Sequence, residues 1–189
     1  EARGFLTARL AEAPAVGVVL GSGLEGFADE LSNAVEIPYS EIPHWPRSSV
    51  AGHAGKLVAG RLGQKPVVVL AGRSHLYEGY SAREVIFPVR VLGLLGIRTL
   101  VLTNAAGAVN LGFRPGQLVL IADHLNLQGT NPLLGETDER FGRRFVDLSE
   151  VYPSRLRELA HECGRRLGLD LAEGVYAALS GPHYETPAE

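Results

Sequence analysis

Five short clusters of this 189-residue chain hold residues whose types and spacing suit chemistry. Gly21-Ser22-Gly23-Leu24-Glu25-Gly26 follows an apolar stretch and satisfies the dinucleotide fingerprint G-x-G-x-x-G. A dinucleotide site also needs a second parallel strand ending in an acidic residue about 20 positions on, to hold the ribose hydroxyls. That region is Pro38-Tyr39-Ser40-Glu41-Ile42-Pro43-His44-Trp45-Pro46, and its three prolines do not build a central strand. The cluster therefore reads as an anion loop, in which a Gly-rich turn carrying a Ser22 hydroxyl offers backbone and side-chain donors at a strand's end. Standing alone, a plain tight turn is the simpler reading.

Other groups could converge with it. Ala51-Gly52-His53-Ala54-Gly55 sets one histidine among small residues, where a ligand can approach. Gly72-Arg73-Ser74-His75-Leu76-Tyr77-Glu78-Gly79 follows another apolar stretch; side chains two apart in an extended segment point the same way, so Arg73 and His75 share a face, with Tyr77 next in line. Arginine brings a bidentate fork suited to phosphate. Each histidine taken singly reads as a satisfied surface or capping imidazole. Thr103-Asn104-Ala105-Ala106-Gly107-Ala108 places small residues where a backbone can approach a flat ligand, and reads equally as a packing turn. Gly181-Pro182-His183-Tyr184-Glu185-Thr186 offers an aromatic face beside a carboxylate, a pairing that suits a heterocycle with ring N–H groups. No histidine pair has the spacing of a helical zinc site, so no metal is expected. Ser22 lacks the G-x-S-x-G elbow of a Ser/His/Asp hydrolase.

These clusters hang on short apolar runs at 16–20, 67–71, 100–103, 118–122 and 175–179, rich in Val, Ile and Leu and too short for helices. Such runs fit strands covered on both faces. Residues 57–62 and 67–71 pair as an antiparallel hairpin through Gly63-Gln64-Lys65-Pro66, which makes the sheet mixed. Helical spacing over 81–95 begins with a Ser81–Glu84 capping box and sets Val85, Ile86, Val89, Leu92 and Leu95 on one face. Pro88 inside it predicts a kink, having no N–H to donate and crowding the Glu84 carbonyl. A second helix over 154–167 starts at a Ser154 cap and stops at Gly168. Between them 126–151 mixes Gly, Pro and charge, and so long an irregular stretch is more often functional than idle. The expected fold is α/β: a single domain over residues 1–189 with a mixed central β-sheet flanked by helices.

Composition narrows the classes. An apolar share of 46% and a charged share of 21% exclude disorder. No apolar run approaches the roughly 18 residues of a membrane span. A net charge of −3 lacks the basic surplus that phosphate-backbone binding needs, so neither nucleic acid nor membrane is an expected partner. Cys163 is the single cysteine, and a reducing cytoplasm is the expected location.

Taken together, G-S-G-L-x-G, G-H-A-G, G-R-x-H-x-Y-E-G-Y, T-N-A-A-G and G-P-x-Y-E-T, in this order and spacing, resemble the trimeric, low-molecular-mass purine nucleoside phosphorylase family. The resemblance covers nearly the whole chain and takes in Phe87-Pro88-Val89-Arg90 and Asp138-Glu139-Arg140-Phe141-Gly142. It implies reversible phosphorolysis of purine (deoxy)ribonucleosides, 6-oxopurines above all, to free base and ribose 1-phosphate, with inorganic phosphate as co-substrate and no cofactor. It assigns Ser22, His53, Arg73, His75 and the Ala105 N–H to phosphate, Tyr77 to the ribose, Ala106 and Gly107 to the base lining, and Tyr184 and Glu185 to the purine. His75 and Glu185 are the implied catalytic residues, and Phe145 matches an aromatic lent to the neighbouring subunit of a homotrimer. A 5′-methylthioadenosine phosphorylase is the alternative enzyme, although such relatives usually lack the glutamate found here as Glu185; a non-catalytic phosphate- or nucleoside-binding fragment is the other alternative.

Departures from the pattern are Glu25, where glycine is frequent, and Ala108-Val109, where Gly-Leu is common. The chain opens on Glu1 and closes on Thr186-Pro187-Ala188-Glu189, which reads as a helix start. The family's C-terminal segment, with its contact to purine N7, is therefore expected to be missing, and residues 1–189 alone are expected to turn over inosine poorly.

Overall fold

The computed structural model describes residues 1–48 and 54–189. Helix α1 (Ala2–Thr7), strands β1 (Val16–Leu20), β2 (Ser32–Pro38), β3 (Lys56–Leu62) and β4 (Lys65–Ala71), helices α2 (Ala82–Val85) and α3 (Phe87–Leu94) and strand β5 (Thr99–Leu102) build a first unit, Glu1–Ala105. Strand β6 (Val119–Asn126), helix α4 (Ser154–Leu167) and strand β7 (Ala172–Ala178) build a second, Ala106–Glu189.

The first unit is a five-stranded mixed sheet in the order β2-β3-β4-β1-β5. β1 runs parallel to β4 on one side and to β5 on the other, while β2, β3 and β4 form an antiparallel meander. Its apolar runs are continuous because both faces are covered. Alternate residues feed two clusters: Val19, Leu57, Val68 and Leu70 pack with Leu6 of α1 and Val91 and Leu92 of α3, whereas Val18, Leu20, Val58, Val67 and Val69 pack with Ala28 and Leu31. Ala28 belongs to a 3-10 turn over Glu25–Glu30. Each fully buried side chain of this size contributes about 1.5–3 kcal/mol.

The expected hairpin forms, with a tighter turn. Leu62 pairs with Lys65, so only Gly63 and Gln64 lie outside the strands, and Pro66 sits opposite Arg61 within the ladder. β2 was not expected: among its residues only Ile37 is buried, so no apolar run announces it. Its register shifts between Ser32 and Val35, with Asn33 at φ 51°, an irregularity typical of a protected edge strand.

The helix expected over 81–95 is two helices. Ser81 and Glu84 make the reciprocal capping box, and the Ser81 hydroxyl holds the Glu84 carboxyl below its usual range. The break falls at Ile86, two residues before Pro88, which occupies the first turn of α3, where a missing N–H costs nothing. With the axis reset, the inward face becomes Pro88, Val91 and Leu92, and Val89 is exposed.

In the second unit β6 and β7 are a parallel pair of their own, longer than the expected 118–122 and 175–179, with β6 extended at its end and β7 at its start. Polar residues such as Asp123, His124, Asn126 and Glu173 interrupt the apolar pattern there. α4 has the expected bounds, but Pro153 is its N-cap and Ser154 its first residue; the Ser154 hydroxyl donates to Glu150 instead of capping. Gly168, at φ 67°, ends it in a Schellman pattern, with Leu169 N–H donating to Gly164 O and Gly168 N–H to Arg165 O. Glu173 of β7 holds Arg157 and His161 of α4 at 2.6 and 3.0 Å. Residues 127–151 are irregular except for a 3-10 turn at Glu139–Phe141, as expected.

One buried polar bond ties the first core to the loop after β4. Tyr39, its ring tilted against that of Trp45 at 5.4 Å, donates its hydroxyl to Gly72 O at 2.8 Å, and burial pushes the phenol's pKa far above the ordinary tyrosine value. Removing it by Tyr39→Phe strands a buried carbonyl, so urea denaturation is expected to show a loss of about 1–2 kcal/mol. An unchanged midpoint and slope would mean that Gly72 O has found another partner.

Candidate active site

Because β4, β1 and β5 are adjacent and parallel, the chain leaves all three at one edge. Leu20 pairs with Ala71 and Val19 with Leu102, so Gly21-Ser22, Gly72-Arg73 and Thr103-Asn104 begin side by side. β1 is also where the strand order reverses: the chain reaches β4 on one side of it and then crosses to β5 on the other. In open α/β sheets this is where ligands bind.

The Gly-rich loop is docked on its neighbour. Gly21 N–H donates to Thr103 Oγ1 at 2.8 Å, and a Cβ at Gly21 would lie 2.7 Å from Thr103 O and 2.8 Å from the Asn104 Cα. Ser22 is exposed beyond this contact. Glu25, one of the departures noted above, accepts the Gly23 N–H at 3.2 Å, so that amide already has an internal acceptor.

The segment after β4 alternates as expected: Arg73 and His75 are half-buried, while Ser74 between them is buried, its Oγ having no hydrogen-bond partner among the described residues. Tyr77 stacks on the His75 ring at 4.7 Å. The residue not anticipated is Glu78. Its side chain is 3% exposed, and its Oε1 accepts the His75 N–H at 2.7 Å and lies 2.9 Å from His75 Nδ1. A carboxylate facing Nδ1 favours the tautomer that carries its proton there. The sequence signal for it was available: Glu three residues after His75 has capping-box spacing, and Glu78 accepts the His75 backbone N–H as the third residue of such a box does.

Residues 45–48 are pinned to the same loop. Ser48 Oγ donates to Glu78, and Tyr80 OH accepts Arg47 N–H at 3.1 Å and donates to Arg47 O at 2.8 Å. Gly55 N–H donates to Ala71 O at 3.0 Å. His53 lies outside the described residues.

Ala105 ends the first unit, and the remaining candidates belong to the second. Ala106 and Gly107 are exposed, as are Phe145 at 91% and Tyr184 at 94%. Glu185 is exposed and has no hydrogen bond among the described residues. Thr186 N–H donates to Glu189 Oε2 and Glu189 N–H to Thr186 Oγ1, the two bonds of a capping box. Among the described residues no group of three or more His, Cys, Asp or Glu could hold a metal ion, and no helix is long and apolar enough to cross a membrane.

Fold and loops define an α/β protein with anion-suited groups at the carboxyl edge of its parallel strands. The Phosphorylase superfamily profile matches residues 15–189. Purine nucleoside phosphorylase 1 of Geobacillus stearothermophilus is 52% identical over 189 residues, covering all of this chain and 69% of that protein. The Bos taurus purine nucleoside phosphorylase is 47% identical, covering 98% of this chain and 66% of its own length. The crystal structure of the Schistosoma mansoni enzyme with adenosine superposes at a TM-score of 0.94 and 40% identity, over 100% of this chain and 68% of that one. The chain, which spans about two thirds of these relatives, belongs to the phosphorylase superfamily and within it to the purine nucleoside phosphorylases.

The docking of Gly21 yields a direct test. Gly21→Ala drives a methyl into the Thr103–Asn104 backbone, which has no side chain to move aside. Thermal unfolding is expected to show a loss of about 1–3 kcal/mol, the usual cost of overpacking. The KM for phosphate should rise with it, and wild-type stability and kinetics would show that the loop is not held there.

Proposed function

We propose that this protein catalyses reversible phosphorolysis of purine ribo- and deoxyribonucleosides with a preference for 6-oxopurines, phosphate being the co-substrate and no cofactor or metal taking part. What carries the reading is the side-by-side exit of β1, β4 and β5, each continuing into a cluster that suits an anion. Ser22, His53, Arg73, His75 and the Ala105 N–H hold phosphate. A phosphate oxygen attacks C1′ as the glycosidic bond to the purine lengthens; the new C–O bond forms on the opposite face, and the bond pair leaves with the base. The phosphate's charge also balances the oxocarbenium-like sugar at the transition state. Tyr77 meets the ribose, Ala106 and Gly107 line the base, and Tyr184 packs on it. Glu185 accepts the purine N1–H and so holds the ring in place, while the negative charge that gathers on the departing base has to be met by a donor at N7.

The same proposal takes residues 1–189 as one domain, supported by the single family profile running through both units. It takes the assembly as a homotrimer in which Phe145, exposed in a single copy, reaches the neighbouring subunit's site. It takes the location as the cytoplasm and the physiological task as purine salvage.

Phosphate-dependent release of hypoxanthine from inosine tests the reading. Preference for methylthioadenosine would favour the alternative enzyme, and phosphate or nucleoside binding without turnover would favour a binding module. Structures of Schistosoma relatives carry adenosine in one case and hypoxanthine in another, so selectivity has to be measured on this protein.

In the intact enzyme two substitutions separate the halves of the site. Arg73→Ala removes one charge-assisted contact worth about 1.5–3 kcal/mol, so the KM for phosphate should rise about 10- to 100-fold while that for inosine hardly moves. Equal rises in both would take Arg73 off the phosphate. Glu185→Gln acts on the base: a carboxylate attracts the protonated N1 of hypoxanthine and repels the bare N1 of adenine. The change should lower kcat/KM for inosine about 10²-fold, or about 3 kcal/mol, and cost adenosine much less. An equal loss on both nucleosides would move Glu185 out of purine recognition.

A further inference from the structure

We infer that Thr103 is a positioning residue for the phosphate site, its hydroxyl setting the distance between the Ser22 loop and the Ala105 amide; this rests on the phosphate assignments proposed above. The hydroxyl uses both of its capacities. Oγ1 accepts the Gly21 N–H at 2.8 Å and donates to Val19 O at 3.0 Å, and the Thr103 amide donates to the same Val19 carbonyl at 3.0 Å. Side chain and main chain of one residue therefore grip the end of β1 on either side of Leu20.

What hangs from this grip is specific. Ser22 immediately follows Gly21, and Ala105 comes two residues after Thr103. One hydroxyl thus fixes the start of both segments, although Gly21 and Thr103 are 82 residues apart in sequence. No side chain intervenes, because the missing Cβ of Gly21 brings its backbone against Thr103 O and the Asn104 Cα and N. The β-branched threonine is itself stiff at χ1, so its Oγ1 is a fixed point. Serine would supply the same donor and acceptor with more rotational freedom; valine would keep the shape and supply neither. With valine, the Gly21 N–H and a lone pair of Val19 O lose their partner, and the Gly-rich loop moves to find water. Phosphate senses such a shift because its donors act together, and a misplacement of about 1 Å is enough to cost orders of magnitude.

The experiment is steady-state phosphorolysis of inosine by the intact enzyme and its Thr103→Val and Thr103→Ser variants, with Ser22→Ala as reference. Thr103→Val is expected to raise the KM for phosphate roughly tenfold and leave that for inosine unchanged, and Thr103→Ser to restore most of the loss. Should Thr103→Val not accumulate as folded protein, Thr103→Ala is read in the same assay with the same expected split. An unchanged phosphate KM, equal rises for both substrates, or a serine variant as impaired as valine overturns the inference. If Ser22→Ala raises the phosphate KM and Thr103→Val does not, Thr103 alone is dismissed; if Ser22→Ala also has no effect, the phosphate assignment falls with it.

Discussion

The exit of β1 runs against the exit of β5, backbone on backbone, and the carboxyl edge of the sheet is organised around that approach. It depends on register. β1 has valine or leucine at nearly every position, so hydrophobicity alone would tolerate a slip. Gly17 narrows the tolerance: Leu100 Cδ1 lies 2.9 Å and Leu92 Cδ1 3.3 Å from where its Cβ would be, so a valine or leucine slipped into this place would have to displace both leucine side chains. With Gly17 fixed opposite Leu100, Gly21 arrives at Thr103–Asn104, where again only a glycine fits.

A second set of bonds draws chain-distant loops to the same edge. Tyr39 reaches Gly72, Tyr80 reaches Arg47 and Ser48 reaches Glu78, each across about thirty residues of sequence. None of these partners belongs to a β-strand or an α-helix, and all bind backbone or carboxylate groups that would otherwise need water. Satisfying such groups sets loop conformation here, because a half-buried donor or acceptor left unpaired costs about as much as the stability gained from a good core contact. His75 benefits: its backbone N–H and ring Nδ1 meet one nearly buried carboxylate, so neither loop mobility nor the opposite tautomer is left to it.

The sequence disclosed what burial on both faces makes unmistakable. The runs that became β1, β4 and β5, the hairpin, the Ser81–Glu84 box and α4 with its terminal Gly168 all stood in local pattern. It concealed what tertiary partners decide. β2 carries Ser, Asn and Glu because its outer edge faces solvent, so it lacks the strand signature. The Val85–Val89 face was misplaced because a proline was taken to bend one helix when it starts a new one. For the site, two-residue alternation put Arg73 and His75 together, and Tyr77 follows by stacking. Glu78 was overlooked because an acidic residue near a histidine reads as surface charge until its burial is seen. Tyr184 and Glu185 entered through resemblance alone, and their exposure on the second unit gives no local packing reason for their identities.

In the proposed assignment the groups that bind anions and the group that rejects them occupy different stretches of chain. Residues 22–105 supply two histidines, an arginine, a hydroxyl and an amide to phosphate, whereas the carboxylate for the purine comes from residue 185. This division has an electrostatic cause. A glutamate at Coulomb distance from the phosphate would oppose its binding, by about 1 kcal/mol at 4 Å even in water and several times that in a partly dry cleft. Glu78 does lie in the first stretch, but its Oε1 accepts the His75 N–H and faces the His75 Nδ1, so this carboxylate is turned toward the imidazole it orients. Glu25 takes the Gly23 N–H in the phosphate loop itself, which turns part of its charge toward the backbone and away from the Ser22 hydroxyl's side of the turn. The two jobs call for opposite signs in any case: positive and N–H donors belong where phosphate attacks, and an acceptor belongs where a purine is told apart by its N1–H.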